Sequence, residues 1–153
     1  MVLILDFENI VAFVMPGETD IDFEKIEKLA NARLAIADDS NFILEMVGSF
    51  LSKSGYENIL SFHNGQEALD YLGNNPNDID VLISDIEMPK MDGLTLCKKA
   101  KENKTTSHIW VMLYSSLITD DIRHKGDSVG ADFQVNKPQF ESILRHLGNL
   151  PTH

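Results

Sequence analysis

The chain contains few of the residues that mark secreted, membrane-embedded or nucleic-acid-binding proteins. Cys97 is the only cysteine in 153 residues, which excludes an intrachain disulfide and predicts a cytoplasmic location. Basic residues number 13 against 24 acidic ones, a formal net charge of −11, so neither nucleic acid nor an anionic membrane surface is an expected partner. No apolar run approaches the roughly 20 residues of a membrane-spanning helix, and the opening residues lack the basic start of a signal peptide.

What remains is a globular composition arranged as alternating strands and helices. Hydrophobic residues make up 43% of the chain, enough for one packed domain. Short apolar runs predict five strands, each followed by a segment with helical spacing of apolar residues. The predicted strands are residues 33–37, 58–62, 80–84, 108–114 and 132–136. This alternation predicts an α/β fold: a flavodoxin-like, doubly wound sheet of five parallel strands in the order 2-1-3-4-5, with helices on both faces.

Charged and hydroxyl side chains follow four of the five predicted strands. Directly after the first, third, fourth and fifth strands come, in turn, Asp38 and Asp39, Asp85, Ser115, and Lys137. Because the carboxyl ends of parallel strands meet at one edge of the sheet, these side chains are expected to share a cleft. Three carboxylates so close together repel one another, and Mg²⁺ is the cation that suits such oxygen ligands beside phosphate.

The same set offers the parts of a phosphoryl-transfer site. The Asp85 carboxylate can attack a phosphoryl group to form a mixed anhydride. Lys137 can supply a second positive charge, and the Ser115 hydroxyl can donate a hydrogen bond to a phosphoryl oxygen. Taken singly, each residue has a plainer explanation as part of a turn, loop or solvated surface, but their joint placement favours the site. His63 and Cys97 lack partners at ligand or catalytic spacing and are predicted to be structural.

Four motifs together resemble the receiver domain of two-component response regulators. They are Asp38-Asp39, the run DIEMPKMDG that begins at Asp85, Ser115, and Lys137-Pro138. The resemblance covers about residues 32–149 and implies that Asp85 accepts a phosphoryl group from a histidine kinase. It also implies that the protein is a signalling domain and not an enzyme, and that the Lys137-Pro138 peptide bond is cis.

The resemblance gives a role to most residues of the predicted cleft. It implies that Asp39 and Asp85 bind Mg²⁺ directly. Asp38 is expected to assist through a water molecule, and Glu87 to offer its backbone carbonyl to the metal. Lys137 is expected to contact the phosphoryl group itself. These roles come from the family and are carried here by residues at the matching positions of the motifs.

Two further positions concern how phosphorylation changes the protein. Ser115 takes the place of the switching hydroxyl, which is often threonine in receiver domains. Gln134 lies three residues before Lys137, where receivers commonly carry a tyrosine or phenylalanine that changes rotamer, so the usual aromatic coupling is not expected. The helix predicted near residues 119–129 contains Gly126, which costs about 1 kcal/mol relative to alanine. This weak helix is the predicted bistable element, and it forms the output face with the fifth strand and the last helix.

Residues 1–31 precede the predicted domain. The segment VLILDFENIVAFVMP resembles the closing stretch of a CheW-like coupling domain. The run YSSL, at residues 114–117, resembles chemotaxis proteins of the CheV type, which fuse a coupling domain to a receiver. This resemblance implies a C-terminal receiver part over residues 32–150, preceded by the tail of a coupling domain and a linker. It also implies chemoreceptor–kinase complexes as partners.

Two other functions stay open on the sequence alone. A phosphatase with an aspartate nucleophile usually has a second acid two residues later, and Glu87 lies there. Against this function, so short a chain shows no cap segment or substrate pocket. A protein-binding module of the same fold that is never phosphorylated is disfavoured by the complete set of acids, hydroxyl and lysine.

Overall fold

The computed structural model describes residues 31–116 and 118–150. In this part of the chain five strands alternate with five helices, and every helix is too short or too polar to cross a bilayer. In chain order the elements are β1 Arg33–Ala37, α1 Asn41–Lys53, β2 Asn58–Phe62, α2 Gly65–Asn74, β3 Val81–Ser84, α3 Gly93–Glu102, β4 Trp110–Ser115, α4 Asp120–Ser128, β5 Phe133–Asn136 and α5 Phe140–Gly148. Residues 1–30 of the predicted N-terminal extension lie outside the described residues.

The strands form one parallel sheet in the order β2-β1-β3-β4-β5, which confirms the predicted fold class. Because successive strand residues point to opposite faces, β1 sends Leu34 and Ile36 to one core and Ala35 and Ala37 to the other. Helices α1 and α5 cover the first core, while α2 and α3 cover the second. Cys97 is buried in the second core, in keeping with its predicted structural role.

The predicted strand boundaries agree with the observed ones to within two residues. The largest difference is at β4, which begins at Trp110, two residues later than predicted. The Thr106 hydroxyl donates to the Ala100 carbonyl over 2.7 Å, and the Thr106 carbonyl accepts from the amide of Ile109 over 3.0 Å. These bonds keep residues 103–109 in turns and bends, and so delay the start of the strand.

Polar side chains cap four of the five described helices, and α5 has no side-chain cap. Ser40, Asn64 and Asp92 cap α1, α2 and α3, and each side chain accepts from the amide three residues on, over 3.3, 2.9 and 2.7 Å. Helix α4 also forms as predicted, with Thr119 as its cap. Gly126 is the only buried residue of α4, so little apolar burial holds this helix to the domain.

Candidate functional site

The three predicted acids lie together at the carboxyl edge of the sheet. β1 pairs directly with β3, so Asp38 and Asp39 come side by side with Asp85. Each residue offers one carboxylate oxygen, and these oxygens all lie within 4.8 Å of one another. Asp38 and Asp85 are buried, whereas Asp39 is exposed to solvent. Clustered carboxylate oxygens with an open side fit a hard divalent cation that keeps part of its water shell.

Lys137 brings the compensating positive charge into this cluster. Its ammonium nitrogen lies 2.6 Å from Asp38 Oδ2 and 3.4 Å from Asp85 Oδ1. The backbone amide of Lys137 donates to the Ser115 carbonyl over 2.8 Å, which fixes the end of β5 beside the end of β4. The Lys137-Pro138 bond is cis, as predicted. A charge-assisted hydrogen bond therefore joins Lys137 to Asp38.

The surroundings of Asp85 raise the pKa of its carboxyl and favour an added positive charge beside it. Burial raises the pKa of the Asp85 carboxyl above its usual value, Lys137 opposes that rise, and Asp38 adds to it. The backbone amide of Ile86 donates to Asp85 Oδ1 over 2.9 Å. A buried carboxylate beside another acid gains stability from any further cation, so this environment suits metal binding.

A glycine lets the loop after β3 pack closely against Asp85. A Cβ atom on Gly93 would overlap the carbonyl oxygen of Asp85, so only glycine lets the start of α3 approach this closely. The amide of Gly93 also donates to the carbonyl of Ile86 over 2.8 Å. The sequence DIEMPKMDG thus places its last residue directly against its first.

The remaining predicted residues line one open cleft of about 750 Å³. Ser115 is buried at the end of β4, and Glu87 is exposed on the loop after Asp85. Asp92, the cap of α3, also lines this cleft. The cleft is lined by Asp39, Asp85, Ile86, Glu87, Met88, Pro89, Asp92, Ser115, Ser116 and Lys137.

Comparison with known proteins decides the family. The response regulator receiver domain matches residues 34–147. The chain belongs to the response regulator receiver family. Chemotaxis protein CheV2 of Helicobacter pylori is 33% identical over 153 residues, which covers 96% of this chain and 49% of that protein. CheV1 and CheV2 of Helicobacter pylori match almost all of this chain, and the chain spans about half the length of each.

Solved structures agree with the receiver fold. Chemotaxis protein CheY4 of Vibrio cholerae aligns with a TM-score of 0.70 and 27% identity, over 78% of this chain and 98% of that one. The CheY chain in the CheX–CheY–BeF₃–Mg²⁺ complex of Borrelia burgdorferi aligns with a TM-score of 0.70 and 26% identity, over 76% of this chain and 86% of that one. This receiver therefore has the same architecture as proteins with which it shares about a quarter of its residues.

Gln134 lies apart from the cleft of this receiver and joins β5 to α4. Its Nε2 donates to the carbonyl of Arg123 over 2.9 Å and to Asp127 Oδ1 over 3.0 Å. A Cβ atom on Gly126 would come within 2.5 Å of the Gln134 carboxamide. Gly126 was expected only to weaken the helix. The structure adds that its missing side chain makes room for this contact.

This contact predicts that the effect of Gly126→Ala on stability depends on the residue at position 134. In a Gln134→Ala background, Gly126→Ala is expected to stabilise the receiver by about 1 kcal/mol through helix propensity. In the wild type the same change should give no gain, because the new Cβ displaces the carboxamide and its two hydrogen bonds. Urea unfolding of the four proteins in a double-mutant cycle measures the coupling. Equal effects of Gly126→Ala in both backgrounds would contradict the described contact.

Proposed function

We propose that this receiver accepts a phosphoryl group on Asp85 from a histidine kinase and signals through the resulting change in conformation. The observation that carries the proposal is the position of Lys137 Nζ, 3.4 Å from Asp85 Oδ1 and beside two further acids in an open cleft. Asp39, Asp85 and the backbone carbonyl of Glu87 would hold Mg²⁺, with Asp38 acting through a water molecule. When bound, the cation neutralises charge on the phosphoryl oxygens.

Three side chains of the cleft then have separate roles in the phosphoryl transfer. The Asp85 carboxylate attacks phosphorus, the bond from phosphorus to the donor's histidine nitrogen breaks, and an acyl phosphate forms on Asp85. The Lys137 ammonium turns from Asp38 toward a phosphoryl oxygen, because that oxygen brings new negative charge into its reach. The Ser115 hydroxyl donates to another phosphoryl oxygen.

The conformational response begins at the end of β4. Movement of Ser115 toward the phosphoryl group pulls on the segment that leads to α4. That segment is tied to β5 by the amide of Ile118, which donates to Asn136 Oδ1 over 3.0 Å. Because α4 buries little apolar surface, a small bias can shift its position. The output face comprises α4, β5 and α5, with Gln134 in place of the usual aromatic switch.

The setting we propose is chemotaxis in the cytoplasm. The match to CheV2, over 96% of this chain, supports a C-terminal receiver of a CheV-type coupling protein. On this proposal residues 1–31 are the tail of a coupling domain and a linker, and chemoreceptor–kinase complexes are the partners. The net charge of −11 supports basic protein faces over nucleic acid as the kind of surface that this receiver contacts.

The test of the proposed function is the stoichiometry of phosphoryl transfer. With Mg²⁺ and a small phosphodonor such as acetyl phosphate, the receiver should gain one phosphoryl group per chain and then stop. Sustained hydrolysis of p-nitrophenyl phosphate, over many turnovers per chain, would favour the aspartate phosphatase that Glu87 leaves open. Complete absence of labelling in folded protein would favour the binding module that is never phosphorylated.

Magnesium alone is expected to stabilise the receiver. At 10 mM Mg²⁺ and a dissociation constant of about 1 mM, mass action adds about 1.4 kcal/mol. That gain corresponds to a rise in Tm of roughly 4 °C for a domain of this size. The control is NaCl at equal ionic strength, which only screens surface charge. Asp39→Asn should remove most of the magnesium-specific rise, and a wild type whose Tm ignores Mg²⁺ would refute the metal site.

A further inference from the structure

Tyr114, the residue immediately before Ser115, has no role in the phosphoryl transfer described above. Tyr114 lies on β4 and points to the opposite face of the sheet from Ser115, into the core beneath α1 and α5. Its side chain is buried, and its hydroxyl oxygen has no hydrogen-bond partner among the described residues. The contacts described for the Tyr114 side chain are therefore those of its ring.

The ring of Tyr114 lies beneath the ammonium group of the cleft. Lys137 Nζ is 5.6 Å from the ring centroid, within the range of a cation–π contact. The Tyr114 ring is supported from behind by Phe140, at 6.4 Å between centroids, and Phe140 packs on Phe50 at 5.0 Å. This cluster of tilted rings holds the Tyr114 ring in place beside the lysine.

We propose that Tyr114 is a positioning residue for Lys137. The other two partners of the ammonium, Asp38 and Asp85, are carboxylates whose demands change when Mg²⁺ and a phosphoryl group arrive. The Tyr114 ring is neutral and rigid. It therefore holds the Lys137 ammonium near the cleft whether or not Mg²⁺ or a phosphoryl group is bound to the acids. The expected effect on the rate of phosphoryl labelling rests on the proposed function, whereas the contact between the Tyr114 ring and the Lys137 ammonium does not.

Substitutions at Tyr114 separate the ring from the hydroxyl. Tyr114→Phe keeps the ring and is expected to label with acetyl phosphate at the wild-type rate. Tyr114→Leu removes the ring and should label roughly fivefold more slowly at saturating Mg²⁺. The Mg²⁺ concentration for half-maximal rate should not change, because the acids that hold the metal are untouched. Tyr114→Met, whose flexible side chain fills irregular space, repeats the test if the leucine variant folds poorly.

A matched control is available on the same strand. Lys101 Nζ lies 6.0 Å from the ring centroid of Trp110, at the far end of β4 from the cleft. Trp110→Leu removes this second lysine–aromatic contact and should leave the rate of phosphoryl labelling unchanged. A slowing of similar size in Trp110→Leu and Tyr114→Leu would assign the effect to general loosening of the strand and overturn the positioning role.

Nuclear magnetic resonance reads the contact without any phosphoryl transfer. The Lys137 Hε protons should show an upfield ring-current shift in the wild type and in Tyr114→Phe, and lose it in Tyr114→Leu. Lys137 shifts that are the same in all three proteins, or a leucine variant that labels at the wild-type rate, would overturn the proposal. If the ring-current shift is present but the wild type takes no label, the contact stands and the proposed function fails.

Discussion

Asp85→Asn is expected to abolish phosphoryl labelling, because an uncharged amide cannot form the acyl phosphate. The loss should be at least about a hundredfold, since replacement of a nucleophile removes the reaction path itself. Asp85 is buried at the end of β3 and faces Lys137, and on our proposal it is the acid that attacks the phosphorus atom. Autoradiography or intact-protein mass spectrometry after exposure to acetyl phosphate and Mg²⁺ measures the result.

The matched control for this substitution is Asp92→Asn. Asp92 lines the same cleft, and its Oδ1 caps α3 by accepting from the amide of Thr95 over 2.7 Å. Asparagine caps helices about as well as aspartate, so Asp92→Asn should fold and label normally. Without metal, Asp85→Asn should be no less stable than wild type, since burial raises the pKa of Asp85 and disfavours its charged form at neutral pH. Phosphoryl labelling of Asp85→Asn would show that residue 85 is not the acceptor.

Lys137→Met is expected to destabilise the receiver strongly. It leaves the buried Asp38 carboxylate without the ammonium that lies 2.6 Å away. Removing one partner of a buried ion pair typically costs roughly 3 kcal/mol or more. The acids that remain also repel one another more strongly, so Mg²⁺ should restore part of the loss. Chemical unfolding with and without Mg²⁺ measures both effects, and phosphoryl labelling should slow as well.

Lys125→Met serves as the comparison for the same change on the surface. Lys125 pairs with Asp121 over 3.1 Å, but both side chains are mostly exposed, so this loss should cost under about 0.5 kcal/mol. The double variant Asp38→Asn/Lys137→Met should be more stable than Lys137→Met alone, because it no longer buries an unpaired charge. Similar costs for Lys137→Met and Lys125→Met would mean that the pair in the cleft contributes little to stability.

The sequence predicts that the side chains of the cleft lie together, because the topology of the sheet does most of the positioning. Parallel strands bring their carboxyl ends to one edge, so residues that end or directly follow β1, β3, β4 and β5 must be neighbours. That rule brings together Asp38, Asp39, Asp85, Ser115 and Lys137 from sequence alone. The caps at Ser40, Asn64 and Asp92 are equally local, since each depends on one side chain and the amide three residues later.

Contacts between distant side chains were beyond the reach of sequence reasoning. The Lys137–Asp38 pair joins residues 99 positions apart, and its formation depends on rotamers that no spacing rule specifies. The same holds for Gly126, whose role depends on the carboxamide of Gln134 folding onto its helix. Tyr114 was predicted only as the last residue of the fourth strand, because only coordinates bring its ring beneath Lys137.

The most direct measurement of the central claim is chemical trapping of the phosphorylated residue. Borohydride reduces an aspartyl phosphate to homoserine and leaves free carboxylates unchanged. After treatment with acetyl phosphate and Mg²⁺, peptide mass spectrometry should find this conversion at Asp85 and at no other acid of the cleft. Reduction at Asp39 or Asp92 instead, or no reduction in folded protein that binds Mg²⁺, would contradict the account.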